Sequence, residues 1–215
     1  MNEQFLILFL IISILNLISL FIKNRTLTII TKTLLMPTLI IYYITNTSNF
    51  NIIVVIALIF AFLGDTLLLL DHKDFFFLLG AFSFLIGHIC YIYIFITNFN
   101  PSFFNKNILF VLPIYFILYF ISINRLKKHT SNKILAVSSI YCAILYIMSL
   151  TALLRLDSVT YASFLPTYIG SILFIISDTS LGIKIFIKRT KFLSILVMVT
   201  YILAQLLIVR GLMHL

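Results

Sequence analysis

Apolar residues run along this chain in eight stretches of roughly 20, separated by short polar connections. They cover about residues 5–22, 27–44, 51–70, 75–98, 107–123, 133–154, 162–183 and 192–212. At a helical rise of about 1.5 Å per residue, each is long enough to cross a bilayer. The expected fold class is therefore all-α: a polytopic transmembrane helical bundle of about eight spans, forming a single integral membrane domain over residues 1–215. The polar connections are not equivalent. Loops one, three, five and seven, with their flanks, hold 12 of the 15 Lys and Arg residues, leaving Lys106, Arg155 and Arg210 on the other side. The positive-inside rule then puts the odd loops in the cytoplasm and both termini outside.

Composition removes the main alternatives. The chain is 62% hydrophobic and 10% charged, with a mean hydropathy of +1.19, a balance no soluble domain of this size can hide. The net charge of +9 sits in the short loops, so it reads as a topology signal and not as a nucleic-acid surface. Met1-Asn2-Glu3-Gln4 lacks a basic leader region and the following run lacks an Ala-x-Ala exit, so the first helix is expected to be retained. Cys90 and Cys142 both fall mid-span, which argues against a disulfide framework.

Two aspartates interrupt the apolar runs in matching surroundings: Leu63-Gly64-Asp65-Thr66-Leu67-Leu68 and Ile176-Ser177-Asp178-Thr179-Ser180-Leu181. A carboxylate at membrane depth costs about 2.5–3.5 kcal/mol on insertion scales, so such residues usually face a cavity and carry function. Their separation of 113 positions (178 − 65) suggests two parallel four-helix repeats, residues 1–104 and 105–215, although two apolar helices can also match by chance. Each aspartate lies six residues, about 9 Å, from the cytoplasmic end of its span. Lys32 enters the second span at nearly that level, while His88 and Gln205 lie near mid-membrane. Tyr201 shares a helix face with Gln205. Plainer roles stand beside each functional one. Asp65 can be a structural partner of Lys32, Lys32 can snorkel to the interface, and His88, Tyr201 and Gln205 can join helices by hydrogen bonds. Pro37 predicts a kink beside Lys32, Asn16 and His214 read as packing and end effects, and Asp71, His72 and Asp74 as a solvated loop. No zinc-protease, P-loop, Cys-x-x-Cys or nucleophile-elbow motif is present, which leaves carboxylate chemistry and no metal.

Lys32-Thr33-Leu34-Leu35-Met36-Pro37, Leu63-Gly64-Asp65, Gly80 to Gly87-His88 with Tyr91, Ser177-Asp178, and Tyr201 with Ala204-Gln205 and Gly211 occur in this order along nearly the whole chain. In these features it resembles the YhhN-like lysoplasmalogenase family of membrane proteins, departing at Thr33, where that pattern has Pro. The resemblance implies a hydrolase that cleaves the vinyl ether of a lysophospholipid substrate, lysoplasmenylcholine or lysoplasmenylethanolamine, giving a fatty aldehyde and the glycerophospho-headgroup. It implies no cofactor.

Vinyl ether hydrolysis needs a carboxylic acid to protonate the β-carbon and a carboxylate to steady the cation or activate water, as in glycoside hydrolysis. Asp65 and Asp178 are the expected pair, without assignment of the acid, and His88 is the third catalytic candidate. Tyr201 and Gln205 would position water or substrate, and Lys32 would meet the lipid phosphate or keep one carboxylate charged. The rival class is a proton- or cation-coupled transporter using the same Asp, His and Lys groups. A third reading is a lipid-binding or structural membrane subunit without turnover. The expected location is a bacterial inner membrane; oligomeric state is not readable.

Overall fold

The computed structural model describes residues 3–70 and 74–215, with the backbone alone at Asp74; the side chains of the Asp71-His72-Lys73-Asp74 connection lie outside the described residues. Eight α-helices follow one another: α1 (Glu3–Ile22), α2 (Arg25–Asn46), α3 (Ile52–Leu69), α4 (Asp74–Thr97), α5 (Leu112–Lys127), α6 (Asn132–Leu154), α7 (Tyr161–Phe186) and α8 (Lys191–Leu212). Two 3-10 turns, Pro101–Phe103 and Lys106–Phe110, precede α5. All eight spans are long and apolar enough to cross a membrane, α5 together with the turn before it. The expected fold class is thus observed.

Local chemistry sets the helix ends. Asn24 and Asn51 accept from the backbone N–H groups of Leu27 and Ile53 at 3.0 and 2.9 Å, and Thr160 and Thr190 accept from Ser163 and Leu193 at 3.3 and 3.2 Å. Between α1 and α2 the chain reverses in two residues. Lys23 takes a left-handed φ of 59°, and Asn24 N–H returns to Ser19 C=O at 2.9 Å. The fifth span starts later than its apolar run predicts. Asn105 caps the 3-10 turn through the Asn107 N–H at 3.0 Å, and the α-helix begins where Pro113 in its first turn loses no hydrogen bond. Pro37 lies inside α2, whose helical backbone continues on both sides.

Side-chain placement follows the rule for a lipid solvent. In α1 the exposed stripe is Ile7, Ile11, Ile14 and Ile18, while Ser13, Asn16 and Ser19 are buried. Asn16 Nδ2 donates to Thr31 Oγ1 at 2.8 Å, and Ser19 Oγ lies 2.8 Å from Thr28 Oγ1. Polar groups join helices and apolar ones face outward, the arrangement expected in hydrocarbon. Asn16 therefore does more than pack.

The chain divides into two compact units, Met1–Ile94 and Phe95–Leu215. In the first, α2 packs on both α1 and α3. Helices α3 and α4 approach closely at Gly87, where a Cβ would stand 3.2 Å from the Ala57 carbonyl oxygen. In the second, α7 packs along α8 and α6, and α5 packs on α6. Gly211 lets α8 meet α7, since a Cβ there would fall 2.7 Å from the Ser163 carbonyl oxygen. The boundary falls within the last turn of α4, because the segment after it is tied into the second unit. Asn100 N–H donates to Ser158 Oγ and Asn105 Nδ2 to Asp157 Oδ2, both at 3.0 Å.

Arg155, just beyond α6, is fully buried. It donates to Ser163 Oγ at 2.7 Å and lies over the Phe95 ring, 5.3 Å from its centroid. Burial pulls its pKa down to about 10, so the guanidinium remains charged at neutral pH. Its place at the α6 C-terminus, beside the free carbonyl ends, favours that charge.

Candidate functional site

Each unit carries one of the two aspartates, held in a comparable way. In the first, Asp65 is 2% exposed on α3, and Lys32 Nζ reaches it from α2 with a contact to Oδ1 of 3.1 Å. The Lys32 side chain is 15% exposed, so it turns inward and does not snorkel. Lys32 lies seven residues into α2 (32 − 25) and Asp65 four before the end of α3 (69 − 65), so an antiparallel pair brings them within one helical turn, a gap the long lysine side chain spans. Gly64, just before Asp65, faces α4: a Cβ there would stand 2.7 Å from the Phe84 ring. His88 is buried on α4, next to Gly87.

In the second unit, Tyr141 on α6 donates its phenol O–H to Asp178 Oδ2 on α7 at 2.5 Å, within the range of charge-assisted O–H···O⁻ bonds. Asp178 is partly exposed. Ser177, just before it, faces the following helix and donates to the Val197 carbonyl of α8 at 3.1 Å. Both aspartates thus meet a donor from the helix before, and both preceding small residues touch the helix after. Tyr201 and Gln205 are buried one turn apart on α8, and the Tyr201 ring packs edge-on against Phe174 of α7 with centroids 5.7 Å apart. Further hydroxyl contacts join the helices of this unit. Tyr115 contacts Ser149 at 2.8 Å, Ser149 contacts Ser171 at 2.9 Å, and Ser122 contacts Tyr146 at 3.2 Å.

The structure therefore brings Lys32 to Asp65, and it buries Asp65, His88, Tyr201 and Gln205. Tyr141 is the partner the sequence reading missed. Depth counting would have found it: Tyr141 lies nine residues into α6 (141 − 132) and Asp178 eight before the end of α7 (186 − 178). Cys90 and Cys142 are free thiols. Among the described residues no three His, Cys, Asp or Glu side chains gather as a metal centre would require. A hollow of about 540 Å³ lined by Asn98, Asp157, Ser158, Val159, Thr160, His214 and Leu215 opens at the other end of α7. Thr160 is 18 residues from Asp178, about 27 Å along the helix, so this hollow is not the aspartate site.

Chemically, each arrangement engages a carboxylate oxygen with a donor from the preceding helix. A family model described as the YhhN family matches residues 27–212, nearly the whole chain. No curated protein and no solved structure matches it.

Proposed function

The chain belongs to the YhhN family, and on that premise we propose that it is a membrane-embedded hydrolase of the lysoplasmalogen vinyl ether. The observation that carries this reading is the pair of matched aspartates, each engaged by a donor from the preceding helix. Such carboxyl groups suit a reaction driven by protonation of carbon. A proton adds to the β-carbon of the vinyl ether and the resulting oxocarbenium ion is captured by water. The hemiacetal then collapses to a fatty aldehyde and the glycerophospho-alcohol. Asp65 and Asp178 serve as acid and carboxylate, with His88, Tyr201 and Gln205 positioning water or substrate. Lys32 supplies the charge that Asp65 requires, since an uncompensated carboxylate at this depth is costly. The substrate is a lysophospholipid, whose chain dissolves among the apolar spans.

Purified protein incubated with lysoplasmenylcholine or lysoplasmenylethanolamine should release free aldehyde. Bound lysolipid without aldehyde would replace the hydrolase with a lipid-binding protein. Proton or cation flux in vesicles without aldehyde would favour a transporter, to which the buried Lys32–Asp65 pair is also suited. We further propose that the odd loops face the cytoplasm of a bacterial cell with both termini outside. Cysteines introduced in the 124–132 loop should be labelled only from the cytoplasmic side, and labelling from outside would reverse the orientation.

A further inference from the structure

The two units carry very different charge. Met1–Ile94 holds four Lys and Arg residues against Glu3, Asp65, Asp71 and Asp74, a balance of zero (4 − 4). Phe95–Leu215 holds eleven against Asp157 and Asp178, so the whole net charge of +9 belongs to it (11 − 2). Eight of those eleven gather at one end of the unit. Arg125, Lys127 and Lys128 close α5, and Lys133 opens α6. Lys184 lies in the last turn of α7, Lys188 and Arg189 follow it, and Lys191 opens α8. These ends adjoin: Leu126 is buried, and a Cβ at Gly182 would stand 3.8 Å from its Cδ2. No Asp or Glu occurs between residues 105 and 156 or after Asp178. We propose that this basic end of the second unit binds the headgroups of anionic phospholipids.

Topology alone does not require so much charge. The first unit carries four Lys and Arg residues for its four helices, and the second carries twice that number at one end. Local helix chemistry does not account for it either. Lys133 and Lys191 stand in the first turns of α6 and α8, where the helix dipole disfavours a cation, and neither turn contains an acid. Packed helices lie about 8–10 Å apart, close to the screening length of about 8 Å at physiological salt. Neighbouring cations therefore repel one another, and a layer of phosphodiesters offsets that repulsion. Under the orientation proposed above, this end meets the cytoplasmic leaflet, whose anionic lipids attract clusters of Lys and Arg.

The surface below the charges selects a lipid over a soluble anion. Arg125 shares a helix face with Ile114, Leu118 and Ile121, all exposed, and Lys133 shares one with the exposed Val137 and Ile140. A headgroup held by either cation leaves its acyl chains along an apolar stripe. Phe192, exposed beside Lys191, adds an aromatic ring at the headgroup level.

The test needs no substrate, so it is independent of the vinyl ether reading. Phosphatidylglycerol is titrated into the full-length protein in non-ionic detergent, with phosphatidylcholine as reference, and bound lipid is counted by native mass spectrometry. The wild type should prefer phosphatidylglycerol, and raising salt from about 0.05 to about 0.5 M should weaken that preference severalfold. Each Lys or Arg near an anionic surface contributes about fivefold in affinity. Replacing Lys127, Lys128, Lys188 and Arg189 together by Gln should therefore weaken phosphatidylglycerol binding by at least about tenfold. That variant keeps four cations at this end, as many Lys and Arg residues as the first unit holds, so its orientation should persist. The pair Lys128→Gln and Arg189→Gln should lose at least about threefold. Lys106→Gln with Arg210→Gln, a pair exposed at the other end, should stay within about twofold of the wild type. Equal affinity of the wild type for the two lipids would overturn the proposal, as would insensitivity to salt or an equal loss in the control pair. Displacement of phosphatidylglycerol by inorganic phosphate at the lipid's own concentration would also overturn it, in favour of a soluble anion.

Discussion

Asp65 and Asp178 occupy local sequences of one pattern and comparable helix-to-helix settings, yet one meets an ammonium and the other a phenol. An ammonium adds a full charge, so the Lys32–Asp65 pair is close to neutral as a unit and each partner depends on the other. A phenol adds only a dipole, so Tyr141 orients and steadies Asp178 without fixing its charge. One structural device thus delivers two kinds of donor. Reactions that need both an acid and a carboxylate commonly rely on differences in surroundings.

The sharpest way to break the comparison is to remove both carboxyls in turn. Asp65→Asn and Asp178→Asn should each lower aldehyde release by at least about 10²-fold while expression and lysolipid binding persist, since an amide neither donates a proton to carbon nor carries negative charge. If both variants keep more than a tenth of wild-type turnover, the aspartates revert to structural or ion-coupling roles.

Stability should separate the partners next. Lys32→Met strands a buried carboxylate and should cost about 3–5 kcal/mol, read as lost folded yield in detergent. The double change with Asp65→Asn should recover most of it. Losses that simply add would mean the two side chains act independently. Tyr141→Phe removes one hydrogen bond and should cost nearer 1–2 kcal/mol. His88→Gln tests a smaller contrast: turnover should fall only severalfold if the imidazole positions water, and a loss approaching that of the Asn variants would make it part of the proton path. Smallest of all, Arg155→Lys should shift stability by about 1 kcal/mol through the weakened contact with Phe95. Its effect on turnover should be near zero, because Arg155 lies 23 residues in sequence from Asp178 (178 − 155), at the far end of α7.

The sequence made one half of this comparison easier to read than the other. Opposite charges in neighbouring spans attract notice, and counting residues from one membrane face put Lys32 level with Asp65. Tyr141 gave no such sign. Tyrosine belongs equally in a core, at a membrane interface or in a hydrogen bond, and eleven occur in the chain. The eight spans were legible because hydrocarbon demands long apolar helices. The start of α5 was not, because a 3-10 turn carries the same hydropathy as the helix that follows it. Arg155 read as a topology marker, and its burial depends on Phe95 and Ser163, which come together only through the fold. The bonds from Asn100 and Asn105 to the α6–α7 connection were not legible either, because they join residues far apart in the sequence.

The two-residue reversal at Lys23 and Asn24 has a consequence for biogenesis. Alone in lipid, α1 would present the Asn16 amide to hydrocarbon, and the groups that accept from it, the Thr28 carbonyl and the Thr31 hydroxyl, are synthesised only after the turn. The first helix therefore gains little by leaving the insertion machinery before the second arrives, and the hairpin should partition into the bilayer as one piece. Crosslinking of arrested nascent chains offers a direct reading. Asn16→Leu should release α1 to lipid at chain lengths where the natural sequence is still held, and identical release profiles would show that the polar rungs form only after entry.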